Sequence, residues 1–242
     1  MAFLDRGRFA LFEETLRSLD ANVDLTLGAF LSAFTIEPLG DVTVAYAPVH
    51  YVNEHARILI VGITPGWEQA SIAVRECARQ MRDGRTPEEA CRSAKYKASF
   101  AGSMRRNLLQ MLGELRVTQA LGLSAPEELF GSGVDLLDTA SVLPYPVFIG
   151  GRNYSGYRPA IGPNHRLWKY TKLFREQLRM GQAPLIVPLG RSVASVIEEH
   201  GCSAHCLFGF PHPSGANGHR RRQFAARFDG LRRKVDEWSR TL

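Results

Sequence analysis

Cysteine is scarce in this chain. Its 242 residues hold four, Cys77, Cys91, Cys202 and Cys206, and no two form a CxxC pair. The stretch Cys202-Ser203-Ala204-His205-Cys206 could bring three soft ligands together, so an iron–sulfur cluster on the four cysteines is conceivable. Reduced, partly buried thiols are the simpler reading, and the expectation is no cofactor and no metal. Long apolar runs are missing as well. A membrane helix needs about 18 apolar residues. The longest candidate, Leu25 to Phe34, is short and contains Gly28 and Ser32. Asp5, Arg6 and Arg8 stand where a signal peptide would carry its apolar core. The expectation is a cytoplasmic protein with no membrane partner. No internal repeat, linker or low-complexity segment is evident.

What is present is the composition of an ordinary globular protein, 45% hydrophobic and 22% charged. The length suits one substantial α/β domain or two small ones. Net charge is +6, and the excess gathers in His219-Arg220-Arg221-Arg222, then Arg227, Arg232, Arg233 and Lys234. Such a run fits a polyanionic partner, nucleic acid above all; a solvated basic helix carries the same residues.

The chain is organised around Arg57-Ile58-Leu59-Ile60-Val61-Gly62-Ile63-Thr64-Pro65-Gly66-Trp67-Glu68. Ile58 to Val61 is apolar and mostly β-branched, as in a strand buried on both faces of a parallel sheet. Pro65-Gly66 turns the chain, and a helix starts near Glu68 and runs to about Arg82. Loops after such strands hold ligands and can aim N–H groups at an anion. Further helices are expected over Asp5 to Leu19, Leu25 to Phe34, Met104 to Leu115, Leu167 to Met180 (capped by Asn164), Ser192 to Glu199 and Gln223 to Ser239. Thr86-Pro87-Glu88-Glu89 is a helix start with a capping box. Val42 to Tyr46, ending at Pro48, reads as an edge strand or lead-in segment, Val134 to Leu143, closed by Pro144 and Pro146, and Leu185 to Gly190 as inner strands, and Ala204 to Phe208 as the last strand. Gly150 to Pro159 reads as a loop of glycine, aromatic and arginine residues, either solvated or a stacking surface for a single strand. Buried strands alternating with helices argue for a three-layer α/β/α arrangement.

The motifs can be compared with a known family. Gly62-Ile63-Thr64-Pro65-Gly66 resembles the first motif of the uracil-DNA glycosylase superfamily, Gly-Ile-Asn-Pro-Gly in its mismatch-specific branch. His212-Pro213-Ser214-Gly215-Ala216-Asn217 resembles the second. Leu136-Leu137-Asp138-Thr139 is similar to the family's Leu-Leu-Asn-Thr, and Gly102-Ser103-Met104-Arg105-Arg106-Asn107 to its Pro-Ser-Leu-x-Asn. Leu185 to Gly190 matches a strand ending in Leu-Gly. These matches fall in the family's order over most of residues 57 to 220. The resemblance implies one such domain over residues 1–242, with a helical extension of roughly the first fifty residues. It implies a central, mainly parallel four-stranded sheet, a basic groove for DNA, and cleavage of the N-glycosidic bond of a flipped-out base without metal.

Glycosidic cleavage leaves an oxocarbenium-like sugar and a base that gathers negative charge, so a catalyst needs a donor at the base and a water near the sugar. His212, between two prolines, suits the first task as a neutral imidazole. Thr64 stands where relatives carry Asp or Asn to position the water, and its hydroxyl is a poor base. Asp138 stands where an Asn would read uracil. An ionised carboxylate only accepts hydrogen bonds, so it suits an amino group better than uracil O4, or else it caps a turn. Trp67 and Phe100 are candidate stacking faces for the flipped base, or core aromatics. Pro65, Gly66, Ser214, Gly215 and Arg220 are candidate phosphate contacts. The wedge position holds Ala216, too small to fill a vacated base stack. A DNA-repair glycosylase of open base specificity, acting as a monomer on double- or single-stranded DNA, is the leading expectation. A nucleic-acid-binding relative without the chemistry, and an α/β enzyme acting on a phosphorylated small molecule, are the alternatives.

Overall fold

The structure, a computed structural model, describes residues 2–3, 5–21, 24–181, 184–201 and 205–242. Along the chain run β1 (Ala2–Phe3), α1 (Arg6–Ser18), α2 (Leu27–Phe34), β2 (Thr35–Leu39), β3 (Val42–Ala45), β4 (Tyr51–Val52) and β5 (Ile58–Gly62). Then come α3 (Trp67–Arg82), α4 (Pro87–Ala98), α5 (Ser103–Glu114), α6 (Val117–Ala120), β6 (Leu137–Ser141), β7 (Val147–Ile149) and β8 (Arg152–Asn153). Last are α7 (Thr171–Met180), β9 (Leu185–Pro188), α8 (Arg191–Glu199) and α9 (Arg220–Ser239). The class is mixed α/β. Among the described residues no helix is long and apolar enough to cross a membrane.

The residues group into two compact units. One comprises residues 1–52, 64–101 and 143–174; the other comprises 53–63, 102–142 and 175–242.

The first unit is built on an antiparallel sheet in the order β2-β3-β7-β8. β3 is an inner strand there, not the expected edge strand or lead-in: β2 pairs with one side through a turn at Gly40 (φ 74°), and β7 pairs with the other. Pro144 and Pro146 lead into β7, and the Pro146 carbonyl accepts from the Ala45 N–H at 2.9 Å. Phe30, Phe34, Tyr46 and Phe148 are fully buried. α3 and α4 bury alanines and cysteines against each other, including Ala73, Cys77, Ala90 and Cys91. Thr86 caps α4 with the expected capping box. The carboxylate of Glu76 accepts from Arg79, Lys97, Ser93 and Gln80. Burial alone would raise its pKa; the hydrogen bonds outweigh that and hold it well below the usual range.

The second unit is built on a parallel sheet in the order β6-β5-β9. β5 is the middle strand, and Ile58 to Val61 are all buried. Burying each such side chain is worth about 1.5–3 kcal/mol, so this strand is the unit's main apolar anchor. The expected fourth strand is a single parallel bridge, Ile186 to Cys206. His205 (φ 51°) and Gly209 (φ 91°) adopt left-handed conformations that break an extended run; Ala204 lies outside the described residues. Val134 to Leu136 is a short 3-10 turn, not strand, held by the Asn53 amide, which donates to the carbonyls of Asp135 (2.8 Å) and Leu137 (3.1 Å).

The predicted helix from Leu167 begins as a 3-10 turn, Arg166–Tyr170, before α7. Its cap is His165, whose Nδ1 accepts from the Leu167 N–H at 3.2 Å, and not Asn164. In α9, Phe224, Leu231, Val235 and Trp238 are buried as their spacing predicts, while Phe228 stays half-exposed.

Candidate functional site

In the first unit, Thr64 follows β5 and is held at both ends of its hydroxyl. Oγ1 donates to the Tyr145 carbonyl at 2.7 Å and accepts from the Val147 N–H at 3.1 Å. Its only proton is used, so a water could reach only the remaining lone pair. Pro65 is buried, and Gly66 is the N-cap of α3. Glycine has no capping side chain, and Asn153 supplies one from β8: its Oδ1 accepts from the Trp67 N–H at 2.8 Å. Its amide packs so closely on Gly66 that a Cβ there would lie 3.2 Å from Asn153 Nδ2. The leading donor of the expected anion-binding turn is thus satisfied internally. Trp67 packs its ring against buried Phe30, centroids 5.4 Å apart, and belongs to the aromatic core. Phe100 is 6% exposed and holds a left-handed φ of 55°.

In the second unit, Asp138 lies on β6 and is 3% exposed. Oδ1 accepts from the Thr139 N–H at 2.9 Å, and Oδ2 accepts from the Gln177 amide on α7 at 2.6 Å. Gln177 also donates to the Thr139 carbonyl at 3.1 Å. Oδ1 thus bonds within β6, and Oδ2 ties β6 to Gln177 of α7, so both carboxylate oxygens are engaged.

His212 sits half-buried in the loop between the bridge at Cys206 and α9. The loop comes close to the end of β9 because Gly190, at φ 91°, carries no side chain; a Cβ there would lie 3.3 Å from His212 Cβ. The Ser214 N–H donates to His212 Nδ1 at 3.2 Å. Nδ1 is therefore the acceptor of a neutral ring, and Nε2 carries the proton. Burial lowers the His212 pKa and favours that neutral form.

The loop is braced from below. Asn107 on α5 donates to the Pro213 carbonyl at 2.9 Å, and Asn217 donates to the His212 carbonyl at 3.1 Å. Arg220 donates to the Ser214 carbonyl at 3.1 Å and to Asn107 Oδ1 at 3.1 Å. Arg220 thus acts as a strut for the loop, where the sequence suggested a phosphate contact. Ser214 Oγ accepts from the Ala216 N–H at 3.1 Å and keeps its own proton. Gly215 is exposed, with no partner for its N–H among the described residues. Gly190, Asn107, Asn217 and Gln177 were not assigned these roles from sequence. The resemblance covered Gly190, Asn107 and Asn217, but only contacts reveal what they hold.

No family model and no solved structure matches the chain. An uncharacterized protein of Bacillus subtilis (strain 168), YoxB, is 38% identical over 210 residues, covering 84% of this chain and 82% of that protein. The chain belongs to the YoxB family. Membership in the YoxB family spans both units and leaves the chemistry to be read from the residues themselves. Cys77, Cys91 and Cys206 are buried and form no disulfide with one another; Cys202 lies outside the described residues. Among the described residues no group of three or more His, Cys, Asp or Glu is gathered to hold a metal ion.

Proposed function

We propose that this chain is a DNA-repair glycosylase of the uracil-DNA glycosylase type, hydrolysing the N-glycosidic bond of a flipped-out damaged or deaminated base. The observation that carries the reading is the state of His212: a neutral ring whose Nδ1 is held by the Ser214 N–H, leaving Nε2–H to donate. In this reading Nε2–H meets the base oxygen on which negative charge develops, and stabilises the leaving anion. The Ser214 hydroxyl and the Gly215 N–H take the phosphate beside the flipped nucleotide. The exposed Arg221 and Arg222 add sequence-independent affinity for DNA. Within the first unit, the Thr64 hydroxyl keeps one lone pair for a water. The base is left open, because both oxygens of Asp138 are engaged by Thr139 and Gln177. A three-layer α/β/α sandwich, with the segment at Cys206 as a fourth parallel strand, is the architecture that goes with this reading.

A second reading has an observation of its own. The Thr64 hydroxyl is tied to Tyr145 and Val147, which favours a relative that binds nucleic acid and has lost the chemistry. One experiment separates the two. The protein is incubated with oligonucleotides carrying single uracil, hypoxanthine or other modified bases, in single- and double-stranded form, and then heated in alkali. Strand cleavage at one lesion, abolished by His212→Ala, supports the glycosylase. Binding without cleavage supports the second reading. Failure to bind DNA at low salt removes both.

A further inference from the structure

α5 and α9 run in the same direction within the second unit. Arg220, at the start of α9, bonds Asn107 in the first half of α5, and Arg232, further along α9, donates to the Leu115 carbonyl at the end of α5 at 3.2 Å. Between them lies an open cavity of about 550 Å³, in the size range of small-molecule sites. Its floor is apolar: Met111 of α5 faces Phe224 and Phe228 of α9, spaced four residues apart on one helix face. The two rings meet edge to face at 5.7 Å, and Phe228 is the half-exposed one.

The cavity is polarised along its length. Asn107, Arg220 and Arg221 close the end where both helices begin. Neither helix has a side-chain cap or an acidic residue in its first turn, so the partial positive charge of both N-termini adds to the arginines. Arg220 is engaged by the loop; Arg221 is exposed with no ion pair among the described residues. Glu114 and Asp229 line the other end. Glu114 accepts from Gln110 through Oε1, and Asp229 is exposed with no partner among the described residues.

An anion-binding end, an aromatic floor and a carboxylate end match one ligand class. We propose that this groove binds a nucleoside 5′-phosphate with an amino-bearing base, guanine best. The phosphate sits at Arg221, the base packs on Phe228, and Asp229 accepts from the base. Guanine offers two adjacent N–H donors to a carboxylate, whereas thymine presents carbonyl oxygens beside its single N–H. The same nucleotide can come free or as one unit of a single strand passing the His212 loop. The inference stands apart from the base-excision reading, since it requires no glycosidic cleavage.

The test titrates the full chain by calorimetry with dGMP, TMP, deoxyguanosine and two hexanucleotides, d(G)-containing and all-T. dGMP or the d(G) hexanucleotide binds about tenfold or more tighter than its thymine counterpart, and deoxyguanosine without phosphate binds weakly. Phe228→Leu, which stays apolar but loses the aromatic face, weakens dGMP at least about fivefold, the low end of what base–aromatic stacking is worth. Arg221→Glu weakens the phosphate-bearing ligands only, and Asp229→Ala removes the preference for guanine over thymine. Both are exposed positions, and melting temperatures stay at the wild-type value. Tighter binding of the hexanucleotide than of dGMP identifies the strand as the source; the reverse identifies the free nucleotide. Equal binding of the guanine and thymine ligands, or affinities untouched by all three substitutions, overturns the proposal. Because the ligands are undamaged and the readout is binding, this result is independent of cleavage at a lesion.

Discussion

The Ser214 main-chain N–H donates to His212 Nδ1 at 3.2 Å, and that one bond decides which ring nitrogen carries the proton. A glycosylase with this arrangement depends on Nε2–H. Replacing His212 by Ala should reduce excision by about 10²–10³, the range for losing one preorganised donor, while DNA affinity changes little. Burial lowers the ring's pKa below its ordinary value of 6.5, so the neutral form persists from pH 8 down past that value. Excision measured across pH 5–8 should be flat above 6.5 and fall only on the acid side, where protonating Nδ1 breaks the bond from Ser214. A fall already under way at pH 7.5 would point to a different group.

Asp138 tests whether a motif position reads a base or holds a strand. In Asp138→Asn, the new amide NH₂ meets either the Thr139 N–H or the Gln177 amide, donor against donor. Leaving such a buried group unsatisfied costs about 1–3 kcal/mol, so urea unfolding should show that loss with base preference unchanged. A stable variant with altered base preference would restore the reader role.

Thr64→Val keeps the shape and removes the hydroxyl. The Tyr145 carbonyl and the Val147 N–H then lose their partner within a buried segment, for a loss of about 1–3 kcal/mol. Thr64→Ser should stay near wild type in urea unfolding. If Thr64→Val instead unfolds like wild type but no longer excises, the hydroxyl serves the water and not the fold.

His50 has a consequence for acid stability. Its ring is fully buried in the first unit, 5.6 Å from the Tyr46 ring and 5.0 Å from the Tyr145 ring. Neither ring nitrogen has a hydrogen-bond partner among the described residues. Burial lowers its pKa to about 3; nearby Lys95 and Arg8 push the same way, and the Pro144 carbonyl opposes them without reaching bonding geometry. The unfolded chain binds this proton near pH 6.5 and the folded chain does not. Stability is therefore lost as pH falls below 6.5, by about 2 kcal/mol at pH 5. His50→Phe, which keeps the ring stack, should remove that part of the slope when urea midpoints are compared at pH 7 and pH 5.

Much of the architecture was legible because it depends on neighbours in sequence. The apolar run Ile58 to Val61 is β5 and the middle of its sheet, and Thr86-Pro87-Glu88-Glu89 starts α4 as its residues require. What misled was partnering. Val42 to Tyr46 looked like an edge strand or lead-in segment because Pro48 ends its run, and only the pairing with β2 on one side and β7 on the other makes it an inner strand. Ala204 to Phe208 looked like a strand because nothing in its composition announces a left-handed His205.

The same division runs through the site. Pro211-His212-Pro213-Ser214-Gly215 by itself determined that a histidine would sit on a constrained turn with small residues beside it, since proline and glycine act on the backbone locally. The partner that decides which nitrogen of His212 donates, Ser214, lies two residues away within that turn. That Arg220 ties the loop to Asn107, that Asn153 caps α3 in place of an anion, and that Asp138 holds Gln177 were decided only by tertiary structure. A side chain's hydrogen-bonding capacity is written in its identity, but who uses that capacity depends on residues brought near from 39 to 113 positions away.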